Sequence, residues 1–73
     1  MELNWISGFE INVRIENGAA IISANREGLL SLANQMKNLA EEPSGSHIHL
    51  DAYNSLEEGS SELILEKTAE MKG

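Results

Sequence analysis

The first third of the chain alternates between apolar and polar residues, which predicts a half-buried β-hairpin. A first strand is predicted over about residues 8–16, where every second residue is apolar. Asn17 and Gly18 suit the positive φ angles of a type I′ turn, and a returning strand is predicted over residues 19–24. A two-residue loop fixes the register and pairs apolar residues across the hairpin: Ile11 with Ala24, Val13 with Ile22, and Ile15 with Ala20.

The apolar period then changes from two to about 3.6, which predicts one amphipathic helix over about residues 26–42. Ser23 or Asn25 can cap its N-terminus, and Pro43 ends it. We expect one stripe of this helix to form the core, namely Leu29, Leu32, Ala33, Met36, Leu39 and Ala40. Gln35 lies largely off that stripe.

A second hairpin is predicted after the helix. Residues 47–53 alternate in the manner of a strand, residues 54–60 are rich in turn-forming side chains, and residues 61–67 read as the returning strand. Residues 68–73 are predicted to be frayed or weakly helical.

These elements predict a single α+β domain spanning residues 1–73. The expected order is ββαββ, with a four-stranded, mainly antiparallel sheet and one amphipathic helix packed on one of its faces. The opposite face of the sheet would then be exposed, and we expect binding residues there.

Charge narrows the class of partner. The chain of 73 residues carries a net charge of −7 and contains no cysteine. Residues 38–73 hold eight acids and two bases, so this half should repel nucleic acid and attract a basic protein. No signal-peptide pattern opens the chain, and no stretch approaches the roughly 20 apolar residues of a membrane span. A cytoplasmic protein without nucleic-acid or membrane partners is expected.

Catalytic equipment is not recognisable in the sequence. His47, His49 and Asp51 share one face of a predicted strand, so they could form a metal-binding or hydrolytic site. The ordinary alternative is a pair of solvated histidines beside cross-strand glutamates. Because neither a glycine-rich phosphate loop nor a nucleophile elbow is present, we expect no enzyme activity, no cofactor and no metal.

A protein-binding surface is the favoured interpretation. Apolar and aromatic residues mix with charged ones on the predicted exposed face, a composition typical of binding hot spots, although single exposed hydrophobes are also ordinary. The predicted partner-binding residues are Arg14, Ile21, His49, Asp51, Tyr53, Glu62 and Ile64. A structural homodimer through the sheet face or edge is an alternative that would also enlarge the small core.

Two segments, residues 25–41 and 45–66, resemble the immunity protein 32 family of bacterial polymorphic toxin systems. The resemblance implies a small α+β domain that binds a cognate toxin and blocks it non-covalently, without catalysis of its own. A basic toxin would suit the acidic second half. The residues that match the recurrent pattern of the family include Glu27, Gly28, His47, His49, Asp51, Gly59 and Glu62.

Overall fold

The computed structural model describes residues 2–69 and has the predicted ββαββ order. Its elements are β1 (Ile11–Glu16), β2 (Ala19–Ala24), α1 (Arg26–Ala40), β3 (His47–Leu50) and β4 (Leu63–Glu66). The part of the tail at residues 70–73, predicted to be frayed or weakly helical, lies outside the described residues. No helix within residues 2–69 has the length and apolarity that a membrane crossing demands.

The first hairpin confirms the predicted register. β1 and β2 pair antiparallel, with Val13 opposite Ile22 and every other predicted pair in place. Asn17 and Gly18 have φ angles of 51° and 80°, the positive values that a type I′ turn needs. Local sequence therefore determines this hairpin, because turn chemistry and alternation require the same register.

The prediction of one four-stranded sheet is wrong. β1 pairs only with β2, and β3 pairs only with β4, so the described chain contains two separate two-stranded sheets. The other edge of β1 is occupied by the loop before β4: the Glu57 amide donates to the Ile11 carbonyl and the Ser61 amide to the Val13 carbonyl, both at 2.8 Å. Four residues of the loop span two residues of β1, so no regular ladder can form between the hairpins.

The strands of the second hairpin are shorter than predicted. β3 ends at Leu50, not at residue 53, because Asp51 begins a turn in which its backbone carbonyl accepts from three following amides. β4 covers Leu63–Glu66 within the predicted 61–67, and β1 likewise starts later than predicted, at Ile11. Tyr53 therefore lies on a turn, outside the strand.

Helix α1 is capped by Asn25, whose Oδ1 accepts from the Gly28 amide at 2.8 Å. The helix ends at Ala40, two residues earlier than predicted, since the next two amides bond to carbonyls only three residues back. Its buried side differs from the predicted stripe and consists of Gly28, Ser31, Leu32, Gln35 and Leu39. Leu29 and Met36, expected in the core, are 55% and 46% exposed.

The N-terminal segment explains why the buried side of α1 differs from the predicted one. Gln35 is fully buried and binds both backbone groups of Asn4: its Oε1 accepts from the amide at 2.7 Å and its Nε2 donates to the carbonyl at 2.9 Å. The Ser31 hydroxyl accepts from the Ile6 amide at 2.8 Å. Asn38 Nδ2 donates to the Glu2 carbonyl at 3.0 Å, so three polar side chains hold residues 2–6 along one side of α1. The buried hydrogen-bonding groups of these side chains are satisfied.

The core is small and lies between α1 and the inward faces of both hairpins. Its buried apolar residues are Ile11, Val13, Leu32, Leu39, Ile48, Leu50 and Leu56. Trp5 and Phe9 pack against it from the N-terminal segment and stack on each other, with ring centroids 4.8 Å apart.

Candidate partner-binding surface

The loop between β3 and β4 is built around Asp51. Its Oδ1 accepts from the amides of Tyr53 and Asn54, at 2.9 and 3.1 Å, which is the hydrogen bonding of an Asx turn. Leu56 anchors the same loop in the core with only 5% exposure. Between these fixed points the Tyr53 side chain is left 99% exposed.

A shallow concavity lies beside Tyr53. It is formed where the turn after β3 faces the residues leading into β4, and its lining residues are Asp51, Ala52, Tyr53, Glu58, Gly59, Ser60 and Glu62. Three of these residues are acidic. Asp51, Tyr53 and Glu62, predicted from the sequence as binding residues, therefore lie around one depression.

His49 and Ile64 continue this surface onto the outward face of the second hairpin. The two residues are opposite each other in the register of β3 and β4. The His49 Nδ1 lies 3.1 Å from Glu62 Oε2, and Ile64 is 52% exposed. Five of the seven predicted residues thus belong to one hairpin and its loop.

Arg14 and Ile21 lie apart from these five, as a cross-strand pair on the first hairpin. A polar chain joins the two regions: Arg14 Nη1 donates to Asn12 Oδ1 at 3.4 Å, and Asn12 Nδ2 donates to the Ser60 hydroxyl at 3.3 Å. Ser60 also accepts from the Val13 amide at 3.1 Å. Ser60 and Glu58 were not among the predicted residues, because only the packing of the loop against β1 places them beside the others.

The three residues considered as metal ligands, His47, His49 and Asp51, do not converge on one point. The rings of His47 and His49 lie edge to face with centroids 4.9 Å apart, whereas the Asp51 carboxylate is used by the turn. Within residues 2–69 no group of three or more His, Cys, Asp or Glu side chains is placed to hold a metal ion.

Comparison with known protein families finds a match over much of the chain. Immunity protein 32 matches residues 20–68, which run from β2 to just past β4 and make up about two-thirds of the chain. The chain belongs to this immunity protein family. No significant match was found among curated proteins or among solved structures.

The family match includes most of the candidate surface. His49, Tyr53 and Glu62 fall within the matched residues, as do α1 and both strands of the second hairpin. β1 and the N-terminal segment lie outside the match. The family resemblance expected from the sequence is confirmed, and it points to the neutralisation of a toxin as the role of the family.

Proposed function

We propose that this immunity protein acts in the cytoplasm by binding a cognate toxin and blocking it non-covalently, with no catalysis of its own. The observation that carries the proposal is membership of the immunity protein 32 family over residues 20–68. The acidic character of the chain supports a basic toxin as the partner, since complementary charge speeds association and orients the two proteins.

The binding surface we assign to the toxin centres on Tyr53. A tyrosine side chain exposed to 99% gains a large contact area when a partner covers it, and little internal packing depends on it. The acids that line the adjacent concavity supply the charge, and His49 and Ile64 extend the surface along the hairpin. Arg14 and Ile21 form its outer part, reached through Ser60.

Blockade would be steric and electrostatic. The acidic rim of the concavity, formed by Asp51, Glu58 and Glu62, would approach a basic cleft while Tyr53 inserts into it. Charge pairs at the rim of an interface mainly raise the association rate and are screened by salt, whereas a buried aromatic anchor mainly slows dissociation. The two contributions can therefore be measured separately.

A pull-down with the product of a neighbouring toxin-like gene, followed by surface plasmon resonance to measure the association rate, the dissociation rate and the affinity, tests the proposal. We expect Tyr53→Ala to weaken binding by about 30-fold or more, the effect of a hot-spot residue worth about 2 kcal/mol. Glu62→Gln should slow association mainly at low salt. Ile15→Ala is the matched control, because Ile15 is also exposed, at 60%, but lies outside the proposed surface.

The stability of each variant must be measured beside its affinity. Tyr53→Ala should leave the unfolding midpoint unchanged, because almost none of its side chain is buried. If no neighbouring gene product binds the wild-type protein, the proposed function is wrong. If a toxin binds but Tyr53→Ala and Ile15→Ala bind equally well, the surface is wrong while the function stands.

A further inference from the structure

The two sides of helix α1 are covered very differently. Residues 2–6 are held along the side that carries Ser31 and Gln35, as described above. The opposite side presents four exposed apolar residues, which we name the helix seam: Leu29, Ala33, Met36 and Ala40. Nearly the whole length of the helix therefore has an apolar stripe facing solvent.

The spacing within the seam is that of a coiled coil. Its members are separated by four, three and four residues, the alternation that keeps an apolar stripe facing a partner helix. A surface of this kind on one helix fits a second helix with the same spacing. The nearest source of such a helix is another copy of the chain.

A two-fold axis makes the seam self-complementary. If two copies of α1 pair antiparallel with the axis midway between Ala33 and Met36, Met36 faces Ala33 of the second copy and Leu29 faces Ala40. Each large side chain then meets a small one, which allows the helices to approach closely without overpacking.

The structure also contains a groove that could accommodate Leu29 of the second copy. A mainly apolar groove lies between the C-terminal half of α1 and β4, lined by Met36, Leu39, Ala40, Leu65, Glu66 and Lys67. In the antiparallel arrangement, Leu29 of the second copy lies opposite Ala40, at this groove. It would enter as a knob enters a hole.

Charge supports the same orientation. Arg26 precedes Leu29 by three residues, and Glu41 follows Ala40 directly, so the antiparallel pairing brings Arg26 of one copy near Glu41 of the other, twice per dimer. The Arg26 side chain is 77% exposed, and its ion pair with Glu27, at 3.5 Å, is long. It is available for an intermolecular pair.

We infer that the protein self-associates into a two-fold symmetric dimer through the helix seam, with antiparallel α1 helices. This surface differs from the sheet face or edge, which the sequence offers as an alternative route to a homodimer. No residue of the seam or of its groove belongs to the proposed toxin surface. The seam supplies far fewer than the roughly 20–30 residues per partner of a standard interface, so the dimer is weak and reversible.

Sedimentation equilibrium of the full chain tests the inference. The average mass should rise from 8.0 kDa towards twice that value as concentration increases from about 10 μM to about 1 mM, the range of a weak complex. Leu29→Glu should abolish the rise. Leu3→Glu is the matched control, because Leu3 is a leucine of similar exposure, 40%, on the N-terminal segment, and it should retain the rise.

Charge reversal tests the orientation. Arg26→Glu and Glu41→Arg should each weaken the dimer, and the double variant should restore it, because only the antiparallel pairing joins these two residues. A wild-type chain that stays at 8.0 kDa at 1 mM overturns the inference, as does a dimer that survives Leu29→Glu. Failure of the double variant to restore association refutes the antiparallel arrangement. None of these readouts depends on a toxin.

Discussion

The packing around Gly28 leaves no room for a side chain at this position. In the first turn of α1, a Cβ atom at this residue would lie 2.5 Å from the Glu10 carbonyl oxygen and 3.0 Å from both Ala24 Cβ and Ile11 Cγ1. Contact with a backbone oxygen cannot be relieved by turning a side chain. The Glu10 carbonyl is itself held by the Asn25 amide, at 3.1 Å, so moving it would also disturb the start of the helix.

Two opposing effects set the result of Gly28→Ala. In an open helix, alanine in place of glycine stabilises by about 1 kcal/mol. Overpacking of a tight site costs about 1–3 kcal/mol, and the contact with the carbonyl oxygen puts this site at or beyond the upper end of that range. We expect a net loss of about 2 kcal/mol, which lowers the melting temperature of a domain this small by about 8–16 °C.

Urea unfolding followed by circular dichroism measures this loss. Lys37 is an exposed helical position, and Lys37→Ala compared with Lys37→Gly gives the intrinsic preference of α1 for alanine over glycine. We expect alanine to be favoured at Lys37 and glycine at Gly28. Should Gly28→Ala be as stable as the wild type or more so, the close approach of α1 to Glu10 would be wrong.

Substitutions at two further positions test the polar contacts that place α1 in the fold. Gln35→Leu should cost about 1–3 kcal/mol, because it leaves both backbone groups of Asn4 without their partner, and release of the N-terminal segment should shift the fluorescence of Trp5, the only tryptophan. Asn25→Ala should cost about 1–2 kcal/mol in urea unfolding, whereas Asn25→Asp should cost less, since a carboxylate oxygen can still accept from the Gly28 amide.

Local patterns predicted the elements whose partners are close in sequence. The first hairpin is the clearest case, because a two-residue turn and strict alternation determine which residues face each other, and the structure has that register. For the seven predicted surface residues, the sequence showed which hairpin each belongs to but not how the two hairpins contact each other. Five lie on the second hairpin, but the link from Asn12 to Ser60 joins residues 48 positions apart, and periodicity carries no information about such contacts.

The buried side of α1 could not be deduced from hydropathy. Gln35 is more polar than Met36, yet Gln35 is fully buried and Met36 is 46% exposed. Burial of an amide is tolerated where both its donor and its acceptor find partners, and here the backbone of Asn4 supplies them. Because that partner comes from a segment without a periodic pattern, the sequence contained no sign of it.

The separation of the two sheets has a similar origin. A strand of the second hairpin could extend the first sheet by pairing along the outer edge of β1, but residues 57–61 occupy that edge through the amides of Glu57 and Ser61. Within this loop Gly59 has a φ of 87°, a conformation that glycine adopts at little cost. The loop is therefore shaped to follow β1 and to end its pairing, which a strand-by-strand prediction cannot anticipate.

Part of the hydrophobic core lies outside the residues that match the family. Immunity protein 32 matches from residue 20 onward, whereas Ile11 and Val13, buried to 0% and 2% exposure, belong to β1 outside the match. Burial of these two side chains stabilises by about 3–6 kcal/mol, comparable to the whole stability of a domain this small. A fragment of residues 19–73 would also lack the partner of β2.

We therefore expect the 19–73 fragment to be unfolded by circular dichroism at 25 °C. Adding a synthetic peptide of residues 2–18 should restore the helical signal, because the peptide returns β1 and the segment that binds Gln35. The same peptide carrying Ile11→Asn and Val13→Asn should not restore it. A cooperative unfolding transition in the fragment alone would contradict this prediction. It would show that residues 19–73 fold without β1.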